Sequence, residues 1–135
     1  MTAQMRLYLV VALGGMLGSV SRTLVSLALL QAMGPGFPFG TLAVNVAGSF
    51  LIGLYATVTE PGGRVAASPT ARQFVLAGFC GGFTTFSIFS LETVQAAMLG
   101  AVPLAAFNLV ASVLLWLTGV WLGYRAGLFL NRSQG

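Results

Sequence analysis

The chain contains no histidine, no lysine and no aspartate, and it has a single cysteine. Each absence closes a route to chemistry. Without histidine there is no side chain that titrates near neutrality and no imidazole metal ligand. Cys80 stands alone inside an apolar run, so it cannot close an intrachain disulfide and reads as a small buried hydrophobe. The acidic groups are Glu60 and Glu92 only. No nucleophile with a matching base and no pair of carboxylates is visible, and the composition points away from an enzyme.

Charge is scarce as well. Only 6% of the 135 residues are charged and 57% are hydrophobic, whereas a soluble domain carries about a quarter charged residues. Such a chain cannot cover a soluble surface, and it reads as an integral protein of the cell membrane. The six arginines are Arg6, Arg22, Arg64, Arg72, Arg125 and Arg132. They are scattered, so the net charge of +4 bears on membrane orientation and not on nucleic acid.

What the chain does have is long apolar runs. A bilayer core of about 30 Å needs about 20 apolar helical residues. Four segments satisfy this: about Leu7 to Gln31, near Gly40 to Val58, about Phe74 to Leu99, and about Pro103 to Leu130. An N-terminal export signal is the competing reading of the first run, but the apolar pattern continues past Arg22 to Met33 and suits a spanning helix better. The connections are short: a turn over Gly34-Pro35-Gly36-Phe37-Pro38, a polar loop from Glu60 to Thr70, and Gly100 before Pro103. The expectation is an all-α membrane protein forming one four-helix domain over residues 1–135. Gly14 with Gly18, Gly78 with Gly82, and Gly119 with Gly123 are four apart, the spacing of close helix packing in lipid.

The third run holds the anomaly. Gly81-Gly82-Phe83-Thr84-Thr85-Phe86-Ser87-Ile88-Phe89-Ser90 combines paired glycines, four hydroxyls and three aromatics. Irregular backbone at membrane depth is tolerated only where protein buries it or a water-filled cavity lines it. The glycines are expected to let the helix unwind near its middle and free carbonyls that could hold a cation. Phe86 and Phe89 are three apart, and their ring edges carry partial positive charge that a small anion could meet; their plain alternative is to face lipid. Asn45 and Ser49 share one face of the second helix, Asn108 and Ser112 one face of the fourth. For Asn45 an ordinary interhelical hydrogen bond and a functional role stay equally open. Glu92 and Arg22 are a candidate charge pair.

Together these residues resemble the Fluc (CrcB) fluoride channels over nearly the whole chain. The resemblance rests on Gly14-Gly15-Met16-Leu17-Gly18-Ser19-Val20-Ser21-Arg22, on Phe37 to Ser49, and most specifically on Gly78 to Glu92. It implies an antiparallel dimer in the bilayer, with two fluoride pores and a third helix broken near its middle. It also implies one structural, untransported sodium ion at the dimer interface, held by the carbonyls of Gly81 and Thr84 from both copies. It assigns Phe86, Phe89 and Asn45 to the pore, and Thr85, Ser87 and Ser112 to hydroxyl positions along the ion track. Arg22 and Glu92 fall at a vestibule. The implied function is passive export of fluoride from the cytoplasm. Ile88 departs from the pattern, standing where a small hydroxyl residue is usual. The arginine bias also sits awkwardly with a chain that must insert both ways. The resemblance favours a homodimer; the alternative is pairing with an oppositely oriented paralogue.

Two other readings compete. A small proton-coupled exporter of the four-helix dual-topology type needs an embedded glutamate in the first helix, where this chain has Arg22. A non-transporting assembly subunit would lack mid-depth polar clusters. Four spans place both termini on one side with Arg6, Arg64, Arg72, Arg125 and Arg132. Arg22 lies about 22 Å into the first helix, nearer the opposite face. The positive-inside rule then puts the termini in the cytoplasm. Tags fused to both ends decide between orientations in intact cells: complete protection from outside would mean the single orientation the arginines favour, and an externally accessible half would mean the dual insertion that an antiparallel homodimer needs.

Overall fold

The computed structural model describes residues 2–132, all in helices and short connections. Helix α1 spans Ala3–Met33 and α2 spans Phe39–Val58. The third span, Pro69–Met98, is composite. It runs through α3 (Pro69–Gln73), a π-helical stretch (Phe74–Cys80), α4 (Gly81–Phe83) and α5 (Ser87–Met98). Helix α6 covers Val102–Arg132. Four spans are long and apolar enough to cross a bilayer, as the composition predicts.

Local chemistry sets the ends. The Thr2 hydroxyl accepts from the Met5 N–H at 3.3 Å, and Gly34, at φ 78°, closes α1 by donating to the Leu30 carbonyl at 2.9 Å. Few residues other than glycine reach that backbone conformation without strain. The third span begins five residues before the expected Phe74. Ser68 caps it, accepting from Ala71 N–H at 3.1 Å, and Pro69 occupies the first turn, where a missing N–H costs nothing. The loop after α2 is tied down from three sides. Arg72 donates to the Ala56 carbonyl at 3.2 Å and to the Thr59 hydroxyl, and Asn131 at the end of α6 donates to the Thr57 carbonyl at 3.0 Å. The same Asn131 accepts from the Arg64 N–H at 2.9 Å.

Two helix pairs carry the packing: α1 against the third span, and α2 against α6. Glycine makes both possible. A Cβ on Gly18 would lie 2.1 Å from the Phe79 carbonyl oxygen, and one on Gly14 2.5 Å from that of Phe74. On the other pair, a Cβ on Gly123 would meet the Phe50 oxygen at 2.1 Å, and one on Gly53 the Val120 oxygen at 2.3 Å. Lipid gives no hydrophobic drive between helices, so close backbone contact has to supply the attraction. The outward faces remain apolar: Leu9, Leu13, Leu17, Leu24 and Leu27 of α1 and Leu114, Leu117 and Leu122 of α6 are all exposed. This is the surface of a multi-pass membrane protein.

One expectation is corrected here. Gly81 and Gly82 do not unwind the chain; both are helical, Gly81 with φ −62° and ψ −37°. Gly82 serves close approach, because a Cβ there would lie 2.3 Å from the Gly15 oxygen. The departure from helix comes later, where Thr84 turns extended (φ −86°, ψ 159°) before α5 starts at Ser87.

The glycine contacts are testable. Gly18→Ala and Gly123→Ala should each destabilise the protein by about 1–3 kcal/mol through overpacking. Gly36→Ala, a position with nothing within 4 Å, should be neutral. Unfolding in mixed micelles as detergent denaturant rises reads all three.

Candidate functional site

The bend between α4 and α5 is held by one side chain. Asn45 Nδ2 donates to the Thr85 carbonyl at 2.8 Å, and the Thr85 N–H donates to Asn45 Oδ1 at 2.6 Å. Both residues are buried, with 5% and 7% of their surface exposed. In a continuous helix the Thr85 N–H would bond the Gly81 carbonyl, four residues back. Here it turns sideways to α2. The Ile88 N–H would likewise reach the Thr84 carbonyl, but it bonds Thr85 Oγ1 at 3.2 Å, so Thr85 caps the start of α5. The Gly81 and Thr84 carbonyls are thereby released from the helical ladder. The Thr84 oxygen faces Arg22, whose Nη1 lies 3.4 Å away. The Thr84 hydroxyl bonds back to the Cys80 carbonyl at 2.9 Å.

Around the bend lie two cavities. A cleft of about 230 Å³ is lined by Asn45, Ser49, Thr84, Thr85, Phe86 and Trp116. A second, of about 280 Å³, has Arg22, Ser26, Thr41, Thr85, Ile88 and Glu92 on its walls. Thr85 lines both. The Phe86 ring is 71% exposed, whereas Phe89 is 2% exposed. Their centroids are 5.7 Å apart, and Phe89 also meets Trp116 edge to face at 4.7 Å. The Ser87 hydroxyl sits 3.3 Å from that of Thr85. Gly81 is exposed on the outer surface, with nothing within 4 Å of where a Cβ would stand.

The structure thus brings together Asn45, Thr84, Thr85, Ser87, Phe86 and, behind them, Phe89. Ser112 lies apart. It is 1% exposed and donates to Asn108 Oδ1 at 3.2 Å. Asn108 donates to Thr93 at 2.8 Å, and Thr93 to the Phe89 carbonyl at 2.7 Å. This chain of bonds ties α6 to α5 beneath Phe89. Arg22 and Glu92 face one cavity without bonding each other. Glu92 Oε1 accepts from Thr41 at 2.9 Å, and Oε2 is buried without a hydrogen-bond partner among the described residues.

Thr41 and Trp116 line one cavity each, in addition to the residues expected from sequence. Thr41 carried a signal, since it lies one turn before Asn45 on the same face of α2. Trp116 carried one too: it continues the four-residue spacing of Asn108 and Ser112.

Four spans long and apolar enough to cross a membrane, with a polar, side-chain-held bend in the third, define a multi-pass membrane protein. Residues 9–124 match the family described as CrcB-like protein, Camphor Resistance (CrcB), and the chain belongs to that family. It is 49% identical over 129 residues to a protein of Rhodopseudomonas palustris named fluoride-specific ion channel FluC 1, covering 96% of this chain and 92% of that one. A protein of Opitutus terrae named fluoride-specific ion channel FluC is 50% identical over 131 residues, covering 97% and 99%. One of Bradyrhizobium diazoefficiens, named FluC 1, is 50% identical over 128 residues, covering 95% and 89%.

Removing the Asn45 side chain strips both backbone groups of Thr85 of their partner. Leaving buried polar groups unpaired costs about 1–3 kcal/mol. In Asn45→Ala, hydrogen exchange at the bend should therefore accelerate about 5- to 150-fold relative to the rest of α5. Unchanged exchange there would show that the bend stands without Asn45.

Proposed function

We propose that this chain is a passive fluoride-selective channel, not an enzyme, that lets fluoride leave the cytoplasm. The observation that carries the reading is the bend held by Asn45. It gathers donors, hydroxyls and ring edges at mid-span without placing a fixed charge in the cleft. The names of the relatives supply the ion.

Fluoride is small and strongly hydrated, so a pore has to replace its water. Asn45 uses one amide hydrogen on Thr85 and keeps a second. The Ser87 and Thr85 hydroxyls and the edges of Phe86 and Phe89 are the other groups of suitable polarity. Each binds weakly, which lets the ion leave as readily as it enters. Arg22 and Glu92, across the wider cavity, shape the field at its mouth, with the guanidinium favouring anion entry. Ser112 acts from behind: its bond to Asn108 and the link to Thr93 steady α5 where it carries Phe89. Ile88 lines the wide cavity and offers no hydroxyl to that wall.

The pore is completed by a second copy of the chain inserted antiparallel. Gly81 and Phe86 support this, since both lie open on the surface of a single copy next to the bend. The third helix is broken in this reading, and its freed Gly81 and Thr84 carbonyls, paired across the interface, would hold a sodium ion. Carbonyl oxygens outside a helical ladder suit a hard monovalent cation, and the Thr84 oxygen would have to give up its contact with Arg22 Nη1 to join such a site. A bound sodium would supply positive charge that locks the two bends together. A homodimer is sufficient because Asn45, Phe86 and Phe89 are all present in this one chain.

Purified protein in liposomes should release fluoride rapidly in sodium-containing buffer once a potassium ionophore clamps the voltage, and chloride hardly at all. No fluoride efflux would sink the reading. Phe86→Ile and Asn45→Asp should each abolish the flux while the dimer still forms.

A further inference from the structure

Trp116 sits on α6 one turn beyond Ser112 and lines the cleft together with Asn45, Ser49, Thr84, Thr85 and Phe86. Its ring packs edge to face on Phe89, 4.7 Å between centroids. Its indole Nε1–H is buried and has no hydrogen-bond partner among the described residues. A buried donor without an acceptor is costly and uncommon in folded proteins.

The surrounding polar groups do not relieve it. Ser112, Asn108 and Thr93 are engaged with one another and with the Phe89 carbonyl. The Thr85 carbonyl is taken by Asn45, and the Thr84 carbonyl faces Arg22. Indole N–H donates and cannot accept, and the second amide hydrogen of Asn45 is also a donor. Trp116 and Asn45 thus bring two side-chain donors to the walls of the cleft, from α6 and α2, beside the hydroxyls of Ser49, Thr84 and Thr85, and none of these hydroxyls bonds the indole. A water molecule would bring donors of its own and needs two to four polar partners. A small anion accepts from several N–H groups at once and brings none.

The geometry points to Trp116 as a further anion-binding residue of the permeation path, its indole N–H donating to fluoride as the ion passes the cleft. This rests on the fluoride reading above and adds to it a donor on α6. The aromatic body keeps the site dry through its contact with Phe89, while the N–H replaces part of the lost hydration. The N–H is closed off from the open cleft, so any ion reaches it only as the rings part, and the smaller halide asks the least of that movement.

The chain has only two tryptophans, Trp116 and Trp121, which makes the test direct. Trp121 is 55% exposed and lies under Arg125 at 5.6 Å, away from the cleft. In Trp121→Phe protein labelled with nitrogen-15 at the indole, the single remaining N–H resonance should move downfield as sodium fluoride is added. Sodium chloride at the same concentration should leave it in place. Trp116→Phe keeps the ring against Phe89 and removes the donor; its fluoride flux in liposomes should fall about tenfold with the dimer intact. Wild-type flux from Trp116→Phe would overturn the assignment. So would an indole resonance unmoved by fluoride in Trp121→Phe protein that conducts. Absence of flux from the wild-type protein falls on the channel reading itself, and the Trp116 assignment falls with it.

Discussion

Inside a bilayer the backbone N–H and C=O of a residue that leaves the helix have no water to turn to, and at Thr85 the amide of Asn45 answers both. Without such a partner each group would cost several kcal/mol in hydrocarbon. The pairing does more than satisfy Thr85. It diverts the N–H that would have continued the ladder to Gly81, and it leaves Thr85 Oγ1 to cap α5 in place of the Thr84 carbonyl. One side chain on α2 thus pairs both backbone groups at the bend of the third span.

The rest of the bundle holds that side chain within reach. Glycines on α1 seat the first part of the third span, and those on α6 and α2 bring these two helices into backbone contact. Two rigid pairs result, and α2 contacts both α1 and α6. The hydrogen-bonded run from Ser112 through Asn108 and Thr93 to the Phe89 carbonyl then fixes the second part of the third span against α6. The bend is gripped from α2 in the middle, α1 on one side and α6 on the other. Polar groups are thereby gathered around the bend, with apolar helix faces outward.

Much of this was legible in the residues. Four spans, the turn at Gly34 and the start at Pro103 follow from hydropathy and from residues that limit helices. The polar cluster from Thr84 to Ser90 stood out because lipid gives no reason for it. The wrong element was the role of Gly81 and Gly82. Paired glycine reads equally as flexibility and as close approach; the position of Gly15 decides for approach at Gly82, while Gly81 is helical with open space around it. Asn108 and Ser112 were legible as a pair by their spacing, but the chain carries no sign that Thr93 joins them. Arg22 and Glu92 look like partners because they are opposite charges in lipid; in space each turns to a different neighbour, Thr84 and Thr41.

By itself the sequence determined membrane residence, the number of spans and the segment where a helix could not stay regular. These depend on composition and short-range spacing, which act within a turn or two of the chain. Only the tertiary structure decided that Asn45 meets Thr85, that Phe86 is open while Phe89 is buried, and that Trp116 Nε1–H finds no acceptor among the described residues. Asn45 and Thr85 are 40 residues apart. Their contact follows from how closely the glycine-bearing helices approach, a property of packed surfaces that no local pattern encodes.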